Sequence, residues 1–583
     1  MFGLRHRILA SCVLGLSFLS FSPTLSAAEG PAMPKVVDPG SPEVMAILEI
    51  PNLNTLCDHA EALGKTFDAD HVKPGMLKAM LSQKFSEPLI ASIDSSKPIV
   101  AMLLMAHPES VPEGKKDPVI VTVFVPASTD APFAEFAKNA KGQIAYQDGI
   151  VMLAETAGGI DQAKGQLALY KKIQGDPLST DARLMVNAAG ANQLFGPILQ
   201  MLAFAGLEKM KAAPPAAGPA PIPPAMLHKV LMLYLKGALG LFNQSQALQL
   251  DVSMNADAFK TDFLVQAKPG TTLGNLLAAP APYAGKTASA VVQGAPMSGY
   301  YRMNPAAFAG FSDAMINELN ADPELKEFAS AEAIAIIKDY SQLMTGEAAF
   351  SLSEGKEGSL AITQQIGISD EAKYYSSIQN VAALFKPEAF LGKLYASMGM
   401  SFDMTVAKNV RQHAGIEVSS LKTTIQAQLP EKQQDMLKKM PLNYELAFNK
   451  GILSMSSSAE GLDALLDKSI AGTVVAEGAL PLQSIKEFGP GLSGYFDMDL
   501  TGYLKIAAGL DPNPGNPLKI MAPMLKPSTP LTYAMNMADG KMLIKHTFPV
   551  GPILQIIQIT KQLQPPPPQP GAKGDKPVPP EQF

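Results

Sequence analysis

Hydrophobic positions along this chain follow two alternating rhythms. Short runs, apolar throughout or at every second residue and bounded by Gly, Asn or Asp, predict strands; longer stretches with apolar residues at helical spacing predict amphipathic helices. One strand-to-helix opening recurs four times: Val44-Met45-Ala46-Ile47-Leu48-Glu49-Ile50, Arg183-Leu184-Met185-Val186-Asn187, Met297-Ser298-Gly299-Tyr300-Tyr301-Arg302-Met303-Asn304 and Leu492-Ser493-Gly494-Tyr495-Phe496-Asp497-Met498-Asp499. The last two match closely, and the four together predict four related units.

Hairpins repeat as well. Ile144 to Val151 resembles Leu446 to Leu453, with Asp148-Gly149 and Lys450-Gly451 at the turns; such dipeptides between apolar runs suit the left-handed backbone of a tight turn. A second pair is Met254-Asn255-Ala256-Asp257 and Met535-Asn536-Met537-Ala538-Asp539-Gly540. The units therefore run in the order A, B, A, B. Within each A unit two strand-like runs precede a helix: Ile99 to Met105 and Val119 to Val125 before Pro132, then Ala348 to Ser353 and Leu360 to Ile368 before Asp370. Because these connections are short and hairpin-like, the expected fold class is α+β, internally duplicated, with antiparallel sheets carrying helices on one face.

The expected organisation is a signal peptide over 1–28, a flexible linker over 29–43 and a first α+β half over 44–285, interrupted by a Pro/Ala-rich insert at 212–224. A second half over 286–560 and a Pro-rich disordered tail over 561–583 follow. This layout resembles a family of large exported bacterial proteins of unknown function built from repeated strand, helix, hairpin and helix units. The Ser-Gly-Tyr openings at Ser298 and Ser493, and Gly540-Lys541-Met542-Leu543-Ile544 running into Phe548-Pro549, carry the resemblance across roughly residues 44 to 560. The family brings no active residues with it.

The N-terminus reads as an export signal: basic residues at Arg5, His6 and Arg7, an apolar run from Ile8 to Phe21, and a small-residue exit with cleavage after Ala28. The run is shorter than the roughly twenty residues that span a bilayer. Leu9-Ala10-Ser11-Cys12 has the letters of a lipoprotein site, but Cys12 stands near the start of the apolar core rather than after it. The expected product is soluble, periplasmic or secreted, without a transmembrane span. Cys57 is then the one remaining cysteine, so burial rather than disulfides must stabilise the fold.

The formal charge of −6 becomes more negative once Arg5 and Arg7 leave, and no basic run stands out; both speak against nucleic-acid partners. Charged residues make up only 17% of the chain, while it holds 30 methionines and no tryptophan. That composition points to large cores or to apolar surface used for binding.

Candidate chemistry dissolves on inspection. Cys57 and His59, two apart on a helix, point away from each other, and Cys57 lies in an apolar stripe with Leu53, Leu56, Ala60 and Leu63. Ser419-Ser420-Leu421-Lys422 has a penicillin-binding pattern but sits in a predicted strand, where residues three apart face opposite sides. Gly489-Pro490-Gly491-Leu492-Ser493-Gly494 satisfies a dinucleotide fingerprint yet precedes a strand instead of opening a helix. Asp497, Asp499, Thr501 and Gly502 imitate half a calcium loop, with Ala508 where the closing Glu belongs. The mature histidines show no paired zinc spacing. No catalytic, cofactor or metal residues are therefore assigned. Two methionine groups, Met398, Met400 and Met404, and Met521, Met524, Met535, Met537 and Met542, leave copper handling as an alternative.

The favoured candidate surface is the apolar face of the second of two helices flanking the Pro/Ala insert, formed by Leu231, Leu235, Leu239 and Phe242. The expected function is an exported, non-enzymatic envelope protein, a scaffold or binding module for an apolar ligand or an envelope protein. The alternative to it is a hydrolase or other enzyme with dispersed active-site residues.

Overall fold

The first strand, β1 (Val44–Ile50), leads into α1 (Leu53–Phe67), α2 (Met76–Phe85) and α3 (Glu87–Ser92), then into β2 (Ile99–Met105) and β3 (Val119–Pro126). These come from a computed structural model, which describes residues 43–68, 71–107, 119–140, 142–175, 178–192, 240, 242–321, 331–386, 392, 396, 400–427, 439–511 and 515–563. Helix α4 (Ala131–Ala140), the hairpin of β4 (Gln143–Gln147) and β5 (Ile150–Ala154), and helices α5 (Ala157–Gly165) and α6 (Leu167–Gln174) complete this unit. The next contains β6 (Ala182–Asn187), β7 (Ser245–Met254), β8 (Ala258–Ala267) and α7 (Thr272–Leu276).

The second half restarts with β9 (Met297–Arg302), α8 (Pro305–Ala321), α9 (Ala331–Leu343), β10 (Met344–Glu354), β11 (Leu360–Ile368) and α10 (Glu371–Leu384). A long hairpin, β12 (Met400–His413) and β13 (Ile416–Ala427), precedes β14 (Asn443–Asn449), β15 (Ile452–Ser456), α11 (Ala459–Ile470) and α12 (Gln483–Phe488). Then come β16 (Gly494–Met498), α13 (Leu500–Leu510), α14 (Pro517–Met521), β17 (Leu531–Ala538), β18 (Lys541–Pro549) and α15 (Gly551–Leu563).

All of these strands join one antiparallel sheet in the order β4-β5-β3-β2-β1-β6-β7-β8-β18-β17-β16-β9-β10-β11-β15-β14-β13-β12. The same path occurs twice, outward from a seam between β8 and β18: β8-β7-β6-β1-β2-β3-β5-β4 on one side, β18-β17-β16-β9-β10-β11-β15-β14 on the other. The likeness extends to turns and caps. Asp148-Gly149 and Lys450-Gly451 both take positive φ at both positions, as the twist of a two-residue hairpin demands. After each hairpin a hydroxyl caps the next helix, Thr156 accepting from the Gly159 amide and Ser458 from that of Gly461.

The expectation of several sheets with helices on one face needs correcting: there is one sheet, and helices lie on both faces. The reason is written in β3, where successive residues are apolar. Phe124 joins a core with Met102, Ile160, Tyr170 and Ile173 from α5 and α6, on what we term the first face. Its neighbours Val123 and Val125 turn to Leu89 and Phe133 of α3 and α4 on the second face. Likewise in the second half, Tyr300, Ala349 and Tyr495 meet α11 and α12 on the first face, while Ala348, Ile366 and Leu453 meet α9 and α10 on the second. Among the described residues no helix is long and apolar enough to cross a membrane.

Candidate functional site

On the second face, directly opposed residues form an unbroken apolar row: Val123, Ala101, Leu48, Leu184, Leu250, Phe263 and Ile544. Its flanks are covered, Val123 by α3 and α4 and Phe263 by α7. Its middle is not. Leu48 is 44% exposed and Leu184, facing it across the β1–β6 pair, 39%; Val121 on β3 reaches 53%. Single exposed leucines are ordinary, but these two adjoin on the face of central strands and make one apolar patch.

Behind the patch, on the first face, five charged residues stand in register across neighbouring strands: Glu49, Arg183, Asp251, Asp262 and Lys545. Arg183 holds Asp251 through a two-pronged contact, Nε to Oδ1 at 2.6 Å and Nη2 to Oδ2 at 2.8 Å. Asp262 therefore faces a like charge on one side and Lys545 Nζ, 3.6 Å away, on the other. Burial, with Asp251 adding to it and Lys545 opposing, holds the Asp262 carboxyl above the usual carboxylate range. Asp262 and Lys545 lie at the same remove from their hairpin turns, so the local twofold relating the two halves passes between them.

The equivalent junction in the second half, β9 against β16, is sealed. Its Ser-Gly-Tyr sequences run antiparallel, which sets Tyr300 directly opposite Tyr495, both fully buried. Tyr300 donates to Glu347, whose carboxylate also accepts the amides of Ala284, Gly285, Lys286 and Thr287. Gly285 is required there: its φ is +65°, and a Cβ would come within 2.6 Å of the Val475 carbonyl. Tyr495 donates to Glu477 at 2.7 Å, which also accepts from the Gly491 amide and lies 3.3 Å from Arg302 Nη2. Burial first, and the adjoining carboxylates second, push both phenols far up, so they act as neutral donors. Gly299 of the motif lies under the Phe350 ring, 2.5 Å from where a side chain would begin.

Leu231, Leu235 and Leu239 lie outside the described residues, as does Ala28; Phe242 is half-buried in the helical turn entering β7. Cys57 is buried in α1, and burial raises its thiol. His59 turns instead to Asp181, Nδ1 to Oδ1 at 2.7 Å. Ser419 and Lys422 sit on β13, and the glycine loop at 489–494 leads into β16. Asp499 caps α13 through the Thr501 amide, while Asp497 is buried and accepts the amides of Gln483 and Ser484. Met535, Met537 and Met542 come together; Met521 packs elsewhere and Met524 is exposed.

Sequence reasoning missed Leu48 and Leu184. The signal was present, since Val44 to Ile50 is apolar on both sides and so needs either two covers or a partner. Comparison with protein-family models, with curated proteins and with solved structures gave no match.

Proposed function

We infer that this chain is an exported, non-enzymatic binding module, built by duplication of one α+β design, that presents the second face of β1, β6 and β7 to the apolar surface of a protein partner. The exposed Leu48–Leu184 pair in the middle of a row covered at Val123 and Phe263 is the observation that carries the reading. An exposed sheet face favours a protein over a small apolar ligand, because small ligands gain most in concave sites that enclose them. Export directed by the Arg5 to Ala28 signal would supply the setting, and the resemblance of the layout to large exported bacterial proteins supports it.

A photo-crosslinking residue at position 48 tests this. In cells it should yield a discrete protein adduct that Leu184→Glu abolishes, while far-ultraviolet dichroism of the variant stays unchanged. Adducts to lipid alone, or an adduct indifferent to Leu184→Glu, would overturn the reading.

A further inference from the structure

Four methionines gather on the second face beside the seam. Met537 and Met542 are directly opposed across β17 and β18. Met535 lies two residues along the same face, and Met303, just beyond β9, packs into the same cluster, in which Met537 is buried and the other three partly so.

Packing alone does not ask for sulfur here. The twofold that carries Asp262 onto Lys545 places Val252, Met254 and Phe259 where Met535, Met537 and Met542 stand. The same scaffold is thus filled once with a valine, a methionine and a phenylalanine, and once with three thioethers. A depression of about 460 Å³ opens alongside, lined in part by Asn275, Ala278, Asn304, Asp539 and Gly540. None of the four methionines lines it; Asn304 follows Met303 in the chain, and Asp539 and Gly540 form the turn between Met537 and Met542.

Thioethers are soft, neutral donors that select Cu(I) over harder cations and need no deprotonation to bind it. Among the described residues no group of three or more His, Cys, Asp and Glu could hold a metal, so harder ions have no comparable site. We propose that Met303, Met535, Met537 and Met542 form a Cu(I) site beside the depression at Asn304 and Gly540.

The test offers Cu(I) to the full mature chain without oxygen, as its coloured bathocuproine disulfonate complex, and follows loss of colour. The wild type should withdraw one ion per chain. Met537→Leu/Met542→Leu, which nearly conserves volume, should weaken binding roughly tenfold or more, and Met303→Leu should weaken it without touching the opposed pair. Met297→Leu/Met498→Leu, removing another opposed methionine pair on this face, should not. A wild type that leaves the probe coloured, or equal losses in the two double variants, would overturn the site. Unchanged thermal midpoints in the metal-free variants keep folding out of the comparison. The crosslinking result at Leu48 is independent of either outcome.

Discussion

The β1–β6 and β9–β16 junctions occupy the same place in the two halves, yet one is sealed and the other open. At β9–β16 two opposed tyrosines donate to two carboxylates, one of them also paired with a guanidinium, beneath α11 and α12, and helices cover the second face as well. At β1–β6 the first face holds a charged ladder and the second exposes Leu48 and Leu184. A shared topology thus fixes where strands meet without fixing what the meeting does. One junction is buried on both faces, and the other leaves apolar side chains exposed.

The sharpest way to break this contrast is Glu347→Ala. Its carboxylate accepts four amides and a phenol, so truncation should cost about 4 kcal/mol as buried donors lose their acceptor, read as a lowered urea midpoint. Arg183→Met should cost less, about 2 kcal/mol, because it leaves Asp251 facing Asp262 without its neutralising partner. Adding Asp251→Leu to that variant should restore most of the loss; no restoration would show that the ladder is not the cause.

The third effect is pH-dependent. With its carboxyl held above the ordinary range, Asp262 is bound to a proton more tightly in the native chain than in the unfolded one. Its contribution to stability is therefore complete below the ordinary carboxylate range and lost as pH rises through the raised value. Asp262→Asn should accordingly gain on the wild type as pH climbs through that window, and urea melts giving a constant difference across it would refute the assignment. The smallest effect belongs to the patch. Leu48→Ala and Leu184→Ala should each change stability by no more than about 0.5 kcal/mol, whereas Phe124→Ala in the buried core should cost about 3–5 kcal/mol. A large loss at Leu48 would mean that this leucine packs within the fold.

Much of the fold was legible in the chain because the signals are local. The four openings are β1, β6, β9 and β16, and the Asp148-Gly149 and Lys450-Gly451 turns sit between the strands that flank them in sequence. What was not legible depends on distant partners. Nothing in Asp262 or Lys545 announces that β8 and β18 adjoin, and the amides gathered by Glu347 come from a loop far upstream of it. The placement of helices on both faces follows from apolar residues on both sides of β3, which a one-sided reading of alternation passes over. The expected binding surface was sought on an amphipathic helix because a helix displays its apolar stripe within one segment. The Leu48–Leu184 patch needs two strands from different units to be brought side by side.

The β8–β18 seam also dictates an order of assembly. Residues 258–267 await 541–549, so the edge of β8 stays bare until the strands of the second path have been made. Bare edges template pairing with other chains, and contacts this far apart in sequence form slowly. A chain cut short before Leu531 would present two such edges at once, on β8 and β16. Forming the β17–β18 hairpin thus closes both edges as well as joining the two strand paths.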